Sequence, residues 1–350
     1  MRTKLIAAFL LIFGLLLGGS YFTLKPYYDF ATQTLAISPL KTLLPSTVKT
    51  INNQMNILVL GIAGGDHDGP NLSDSITVAH YDFTTNTLTT IGIPRDMWSD
   101  TLKEKINAAY AIGEAIQKGG GLKLAKAEVG ALLGLPISYG VVINFSSFEK
   151  LIDYLGGIDI VVEHSFTDRQ FPITGKENDL CGGDLTYGCR YETLQFNKGV
   201  NHMNGETALK FTRSRHAEGS EGSDFARSNR QQLVLQAVKE KILSVVKTKD
   251  LKKIIPLYTT INSLVERDIS NQDGVFIAKN IVLKKNFTQV HLTIPQNALY
   301  VPSYDDYDGK YVLVPQDKDS KNFHQLVTCL IQYRKEESCT AYLKTETKEQ

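Results

Sequence analysis

The sequence lacks an excess of charge of either sign. Its 350 residues include 38 lysines and arginines against 37 aspartates and glutamates, so the formal net charge is +1. A domain that binds nucleic acid through its overall charge is strongly basic instead. Internal repeats and low-complexity tracts are also missing. The composition therefore gives no support to a nucleic-acid-binding role.

Several catalytic motifs are missing too. The turn GIAGG at positions 61–65 is followed neither by a G-x-G-x-x-G helix start nor by a P-loop lysine, which argues against nucleotide binding. There is no G-x-S-x-G elbow, and His202 and His216 have no neighbours that would complete a catalytic pair. The four cysteines show no C-x2-C spacing, which argues against a zinc site.

The one long apolar run lies at the N-terminus. Leu5–Leu24 contains no charged residue, and about 20 apolar residues are enough to cross a bilayer. Because Arg2 and Lys4 precede it, we expect a single-pass protein of the cell membrane with a cytoplasmic N-terminus. A cleaved signal peptide is the alternative. The predicted organisation is 1–4 cytoplasmic, 5–24 transmembrane anchor, 25–54 membrane-proximal stalk, 55–343 extracytoplasmic domain and 344–350 loose tail.

Two local disulfides are predicted, because an outward-facing domain meets an oxidising environment. Cys181 would pair with Cys189, and Cys329 with Cys339. Four free structural thiols are the alternative.

Apolar runs and turn signals predict alternating strands and helices in a chain of globular composition, 42% apolar and 21% charged. Strands are expected at 56–62, 75–81, 87–93, 139–145, 158–162, 261–266, 290–294 and 311–314. Helices are expected at 103–118, 122–133 and 274–283, after a capping box of Ser146 and Glu149, after Asn204 and after Ser223 or Asp224. Residues 166–200 are expected to be an irregular surface excursion. This alternation predicts a layered α/β domain.

Arginines are clustered in FTRSRHAEGSEGSDFARSNRQQ at positions 211–232. The long helix that follows should bury a stripe of Leu235, Val238, Ile242 and Val245. Helical steps back along that stripe reach Gln231 and Arg227, so both should lie at the inward end of a buried face. Guanidinium groups beside a helix N-terminus suit a phosphate-type anion. We therefore predict an anion site formed by Arg213, Arg215, Arg227 and Arg230.

A structural alternative stays open for this stretch. Arg227 and Arg230 would then pair with the nearby acidic residues as a solvated cap. These acidic residues are Glu218, Glu221 and Asp224.

Acidic residues follow the first predicted strand, in a loop with Asp66, His67 and Asp68, and Asp74 follows shortly after. Strand-end loops commonly carry chemistry in α/β sheets. Mg²⁺ prefers oxygen ligands, so His67 is expected to be solvated. Asp74 alternatively caps a turn.

The third strand ends at Pro94 and places Arg95 at the edge of the sheet. We expect Asp96 to be the ion-pair partner of Arg95.

Seven segments, in order between residues 55 and 246, resemble the LytR-CpsA-Psr family of bacterial cell-envelope proteins. They are NILVLGI, LSDSITVAHYD, TLTTIGIPRDMW, EKINAAYAIG, LLGLPISYGVVINFSSFEKLIDYLGGIDIVV, MNGETALKFTRSR and SDFARSNRQQ. The resemblance implies a three-layer α/β/α fold with a central mixed sheet, an apolar tunnel for a prenyl chain and a preceding transmembrane helix. It also implies an Mg²⁺-dependent phosphotransferase that moves a glycopolymer from a polyprenyl-pyrophosphate carrier onto peptidoglycan.

The resemblance also assigns roles to residues. Catalysis would involve Arg95, Asp74 and Arg227, and the metal would be held by Asp74 and Asp66. The implied pyrophosphate binders are Arg95, Arg213, Arg215, Arg227 and Gln231.

One position departs from the family pattern. Ala63 stands where an acidic residue is usual, so Asp66 or Asp68 would have to supply the second metal ligand. The general base stays open among Asp74, Asp66 and Asp96. A pyrophosphatase with water as acceptor, or a non-enzymatic envelope regulator, are the alternative functions.

Overall fold

The computed structural model describes residues 19–39, 48–65, 69–176, 178–283, 287–316 and 320–342. Its strands are β1 Gln54–Ile62, β2 Ser73–Asp82, β3 Thr87–Ile93, β4 Trp98–Ser99, β5 Glu104–Lys105, β6 Tyr139–Asn144, β7 Ile158–Val162, β8 Phe166–Pro172, β9 Tyr191–Phe196, β10 Gly199–Met203, β11 Val265–Arg267, β12 Thr288–Thr293, β13 Leu299–Tyr300 and β14 Val314–Pro315. Its α-helices are α1 Ala109–Ile116, α2 Gly121–Leu133, α3 Phe145–Tyr154, α4 Gly205–Arg213, α5 Asp224–Lys247, α6 Leu251–Leu264, α7 Asn271–Leu283 and α8 Ser320–Tyr333. Residues 19–29 are also helical.

Six strands form one mixed sheet in the order β11-β6-β1-β2-β3-β12. The consecutive strands β1, β2 and β3 form an antiparallel meander. On either side of it, β6 runs parallel to β1 and β12 runs parallel to β3. The predicted α/β fold with a central mixed sheet is therefore confirmed.

One face of this sheet, which we call the closed side, is a continuous apolar core. Leu58, Val78 and Ile91 are fully buried on it. They belong to one cluster with residues of α1, α2 and α8. Since side chains alternate along a strand, the residues between them point to the other face.

The opposite face, the cavity side, carries small side chains. Gly61 and Ser75 are cross-strand partners, as are Val59 and Thr77. Residues at these positions are half-buried rather than buried. The small side chains leave space between the sheet and the helices across from it.

A second apolar cluster supports those helices. It contains residues of α4 and α5 together with the two-stranded sheets β7–β10 and β8–β9. Three of its aromatic rings pack together, with centroids 5.1 Å apart for Phe166 and Phe196 and 4.9 Å apart for Phe196 and Phe211. This cluster fixes α4 and α5 beneath the arginine-rich stretch.

The prediction of an irregular excursion at 166–200 was wrong over much of that segment. β8 and β9 form a hairpin in which Phe166 pairs with Phe196 and Asp168 with Leu194. Its buried face packs into the second cluster, because alternate residues of β8 point inward. The polar residues between them misled the sequence prediction.

The helix expected at 103–118 begins later in the chain than predicted. Lys103 has a φ of 54°, a left-handed conformation that no regular helix contains. The following β5 pairs with β4, and the α-helix begins only at Ala109. Ion pairs hold the β5 segment in place, since Lys105 Nζ lies 2.7 Å from Asp96 Oδ1 and Lys310 Nζ lies 2.5 Å from Glu104 Oε2.

Three further boundaries differ from the predictions. The strand expected at 261–266 is mostly the end of α6, and only Val265–Arg267 pairs with β6. The strand expected at 311–314 is reduced to Val314–Pro315. Helix α3 is capped by Asn144 rather than by Ser146, because the Asn144 side chain accepts a 2.8 Å hydrogen bond from the Ser147 amide.

Both predicted disulfides, Cys181–Cys189 and Cys329–Cys339, are confirmed. No helix within the described part of the chain is long and apolar enough to cross a membrane. Residues 5–18 of the expected anchor and the tail at 344–350 lie outside the described residues. The domain boundaries stay predictions.

Candidate functional site

A cavity of about 490 Å³ lies between the central sheet and helices α4 and α5. Small residues of the sheet form its floor: Gly61, Ser75, Thr77, Ala79 and Thr90. A Cβ atom added at Gly61 would lie 3.2 Å from the Cβ of Ser75. Because Gly61 has no side chain, the surface of the sheet stays low at this point. Leu209, Val234 and Leu235 contribute apolar wall on the helix side. Such a space suits an apolar ligand.

Six of the predicted site residues line this one cavity. They are Asp74, Arg95, Arg213, Arg215, Arg227 and Gln231. Asp66, Asp68 and His67 lie outside the described residues. An otherwise apolar cavity therefore carries four guanidinium groups.

Arg227 and Gln231 reach the cavity because α5 begins where the sequence predicted. Ser223 caps the helix, and its hydroxyl oxygen accepts a 3.2 Å hydrogen bond from the Ala226 amide. Leu235, expected in the buried stripe, is instead 50% exposed and lines the cavity. Val234 and Val238 are the buried residues at this level. The expected stripe is therefore confirmed at Val238 and Ile242, which lie in or against the second cluster, and wrong at Leu235.

Asp74 and Arg95 form an ion pair in the lining of the cavity. Asp74 is the second residue of β2, and its Oδ1 lies 2.5 Å from Nη1 of Arg95. On the other side of Arg95, Nε is 3.7 Å from Oδ2 of Asp96, which also pairs with Lys105. Asp96 is therefore the ion-pair partner that we expected, and Arg95 is oriented between two carboxylates.

Arg213 is held against aromatic rings. Its guanidinium carbon lies 4.5 Å from the ring centroid of Phe145 and 5.7 Å from that of Phe171. Burial lowers the pKa of Arg213, and the nearby carboxylates of Asp74 and Glu149 only partly offset this effect. A cation that is poorly solvated in this way interacts strongly with an incoming anion.

The segment that carries Arg213 and Arg215 is fixed from one side by Asp168, which is fully buried. Asp168 Oδ2 accepts hydrogen bonds from Ser214 Oγ at 2.7 Å and from the amides of Arg215 and His216 at 3.2 Å each. Burial alone would raise the pKa of Asp168, but these hydrogen bonds outweigh it, and the pKa is lowered. A buried, charged Asp168 therefore holds the loop.

Arg230 fixes the same segment from the other side. It is 2% exposed and donates to the carbonyl oxygens of Phe211 at 3.0 Å and Ser214 at 2.7 Å. Its Nη1 also lies 3.1 Å from Oε2 of Glu221. The prediction of Arg230 as an anion ligand is therefore wrong, because its donors are used within the protein. The structural alternative is right that Arg230 pairs with Glu221 but wrong that the pair is solvated, because Arg230 is buried. Arg227 lines the cavity.

Sequence reasoning missed Asp168 altogether. The available signal was the two-residue period of β8, which places Phe166 and Asp168 on the same, inward face. A carboxylate on an inward face must be paired or hydrogen-bonded.

Two carboxylates of the cavity, Asp168 and Asp74, differ in how well they could hold Mg²⁺. Both oxygens of Asp168 accept hydrogen bonds, since Oδ1 also receives the Gln170 amide. Asp74 has one oxygen paired with Arg95 and a side chain that is 38% exposed. Mg²⁺ is commonly bound through one or two carboxylates together with phosphate and water oxygens, so Asp74 fits that role. Elsewhere in the described residues, Asp179 lies near Cys181 and Cys189, but those sulfurs form a disulfide.

Comparison with known proteins gives relatives from bacilli and staphylococci. The chain is 30% identical over 255 residues to the polyisoprenyl-teichoic acid--peptidoglycan teichoic acid transferase TagU of Bacillus cereus, covering 69% of this chain and 72% of that protein. It is 31% identical over 219 residues to the regulatory protein MsrR of Staphylococcus aureus, covering 60% of this chain and 57% of that protein.

Solved structures share the fold. Bacillus subtilis TagV superposes with a TM-score of 0.55 at 24% identity, over 80% of this chain and 97% of its own. A structure described as TagT bound to LI-WTA gives a TM-score of 0.51 at 22% identity, over 85% and 94% of the two chains. The LytR_cpsA_psr family model matches residues 31–327. The chain is therefore a member of the LytR_cpsA_psr family.

Proposed function

We propose that this protein is a phosphotransferase that moves a glycopolymer from a polyprenyl-pyrophosphate carrier onto peptidoglycan. The observation that carries the proposal is that the lining of one cavity combines apolar side chains with four arginines. A ligand with a long apolar chain and a diphosphate head needs both. The names of the TagU relatives, which join a polyisoprenyl carrier, teichoic acid and peptidoglycan, support this choice.

In this proposal the arginines bind the diphosphate. Arg213, Arg215 and Arg227, with the amide of Gln231, come from the end of α4 and the start of α5. Guanidinium groups bind phosphate oxygens in a bidentate manner, and the N-terminus of α5 adds a favourable dipole. The prenyl chain would then lie along Thr77, Ala79 and Leu235.

The transfer itself requires alignment and charge stabilisation more than a covalent intermediate. A sugar hydroxyl of the acceptor attacks the phosphorus next to the glycopolymer and forms a new P–O bond. The bond to the bridging oxygen breaks, and polyprenyl phosphate leaves. Arg95 and Arg227 stabilise the charge on the transferring phosphoryl group.

The proton of the attacking hydroxyl needs an acceptor. Both Asp74 and Asp96 pair with Arg95, but only Asp74 lines the cavity, and Asp96 is also paired with Lys105. We assign the base to Asp74, paired with Arg95. Mg²⁺, held by Asp74 when bound, would neutralise charge on the phosphate oxygens.

The test uses the full-length protein in lipid vesicles with a labelled polyprenyl-pyrophosphate oligosaccharide and peptidoglycan fragments, with and without Mg²⁺. We expect Mg²⁺-dependent label on peptidoglycan, and a fall of about 100-fold or more for Arg227→Ala. Arg169→Ala is the matched control, because Arg169 is exposed and pairs with Glu218 away from the cavity.

Two other outcomes would replace the proposal. Free sugar phosphate despite added acceptor would identify a pyrophosphatase. Lipid binding without any turnover would favour a regulatory role, which the name of the MsrR relative makes worth testing.

A further inference from the structure

A second cavity, of about 370 Å³, lies on the closed side of the sheet. It is formed by the β4–β5 hairpin, helix α2, the β13–β14 pair and the start of α8. Among the described residues it shares no lining residue with the first cavity. Its aromatic and acidic lining consists of Trp98, Tyr300, Tyr307, Phe323, Asp100 and Glu128.

The aromatic rings are held in a fixed arrangement. Trp98 is 8% exposed, and its Nε1 donates a 3.2 Å hydrogen bond to Asp100 Oδ1. The ring of Tyr307 stands edge-on to it, with centroids 4.9 Å apart at 89°. Burial raises the pKa of Tyr307, and neighbouring Tyr300 and Asp100 raise it further. The surroundings of the ring are therefore unfavourable to negative charge.

Glu128 of α2 is the unusual member of this lining. The residue is only 7% exposed, and its Oε2 accepts a 2.6 Å hydrogen bond from Ser99 Oγ. It forms no ion pair with any residue in the described ranges. A buried carboxylate with one hydroxyl donor is costly unless a positive charge compensates it.

The described part of this lining supplies little positive charge. Within the described residues, the lining contains no lysine, arginine or histidine. Lys103 Nζ lies 3.6 Å from Asp100 Oδ1, but the two side chains are 72% and 90% exposed, and such surface pairs contribute little. The cavity therefore combines aromatic side chains with a buried carboxyl group, Glu128, that has no basic partner among the described lining residues.

We propose that this cavity binds the protonated ammonium group of a small ligand. Glu128 is the counter-ion, and Trp98, Tyr300 and Tyr307 form the aromatic cage that such cations occupy. A neutral sugar would meet the same rings but would leave the charge of Glu128 uncompensated. The assignment goes beyond the proposed transferase and does not depend on it.

Trp98 provides the measurement, because it is the only tryptophan in the chain. The full-length protein is titrated with glucosamine and, separately, with N-acetylglucosamine, while the tryptophan fluorescence is selectively excited. The two sugars differ at the nitrogen, which carries a charge only in glucosamine. We expect a saturable change with glucosamine and at least about tenfold weaker binding of N-acetylglucosamine.

Variants separate the charge of Glu128 from its shape. Glu128→Gln keeps a group that can accept from Ser99 but removes the charge, so glucosamine binding should weaken at least about tenfold. Glu163→Gln changes an exposed carboxylate elsewhere and should bind as the wild type does. The unliganded emission spectrum of each variant reports whether the surroundings of Trp98 are intact.

Three results would overturn the proposal. Equal binding of the two sugars would indicate a neutral carbohydrate site. Unchanged glucosamine binding by Glu128→Gln, with an intact emission spectrum, would show that Glu128 is not the counter-ion. No saturable response to glucosamine, ethanolamine or choline would show that the cavity does not take ammonium groups.

Discussion

The two sides of the central sheet are built from the same strands but are held together differently. On the closed side, branched side chains such as Leu58 and Val78 are fully buried in one apolar cluster with residues of α1, α2 and α8. On the cavity side, the strands carry small residues such as Gly61 and Ala79. A cavity of about 490 Å³ separates them from helices α4 and α5. The segment that carries Arg213 and Arg215 borders this cavity. There, two buried ionic residues, Asp168 and Arg230, fix the backbone instead.

We expect the largest loss of stability for a substitution on the closed side. Leu58→Ala should lower the free energy of unfolding by about 2–5 kcal/mol, because the deleted atoms leave a void among fully buried neighbours. Val59→Ala, one residue along β1, should cost less than about 1 kcal/mol, because Val59 already borders the cavity. Denaturant unfolding of both variants measures the difference. Equal losses would show that the two faces are packed alike.

On the cavity side, the matching change is Asp168→Asn. Asparagine offers one acceptor in place of a charged carboxylate, so hydrogen bonds to the loop of Arg213 and Arg215 weaken. We expect a loss of about 1–3 kcal/mol in the free energy of unfolding and weaker binding of a polyprenyl diphosphate. Asp184→Asn is the control, since Asp184 is exposed and hydrogen-bonds only within its own loop. Lost stability with unchanged lipid binding would mean that Asp168 does not position the arginines.

Ala79→Leu tests the difference between the two sides by adding side-chain volume on the cavity side. The added methyl groups enter the cavity rather than a filled core, so the free energy of unfolding should change by less than about 1.5 kcal/mol. Turnover of a long-chain carrier should fall at least about tenfold, because the larger side chain occupies space proposed for the prenyl chain. A short-chain carrier is the internal control and should be affected less. If both carriers lose activity equally, the chain does not pass Ala79.

Much of the closed side could be predicted from the sequence. β3 was predicted at its observed bounds, and β1 and β2 within two residues, because apolar runs between turn residues are a local signal. The convergence of Arg213 and Arg227 also followed from local signals. Both helices begin at caps, Asn204 and Ser223, that the sequence displays.

The cavity side was harder to predict, for physical reasons. Leu235 was expected to be buried, because an apolar residue that lines a cavity has the same sequence pattern as one in a core. Asp168 and Ser214 are 46 residues apart, so no local pattern reveals their hydrogen bond. Arg230 and Arg227 share one helix, and only the tertiary structure shows which of the two has its donors used by Phe211 and Ser214.

The smallest predicted effect concerns pH. Hydrogen bonds from Ser214 and two backbone amides, working against burial, hold the pKa of Asp168 below its usual value in the folded protein. Between the folded and unfolded pKa values the unfolded chain binds more protons, so the stability due to Asp168 is complete above the unfolded value of about 3.9 and is lost as the pH falls through the folded value. The difference in unfolding free energy between the wild type and Asp168→Asn should therefore be constant above about pH 5 and shrink below about pH 4. Denaturant unfolding at a series of pH values tests this directly. Because a neutral asparagine has no such linkage, a difference that stays constant into the acid range would show that folding does not lower the pKa of Asp168.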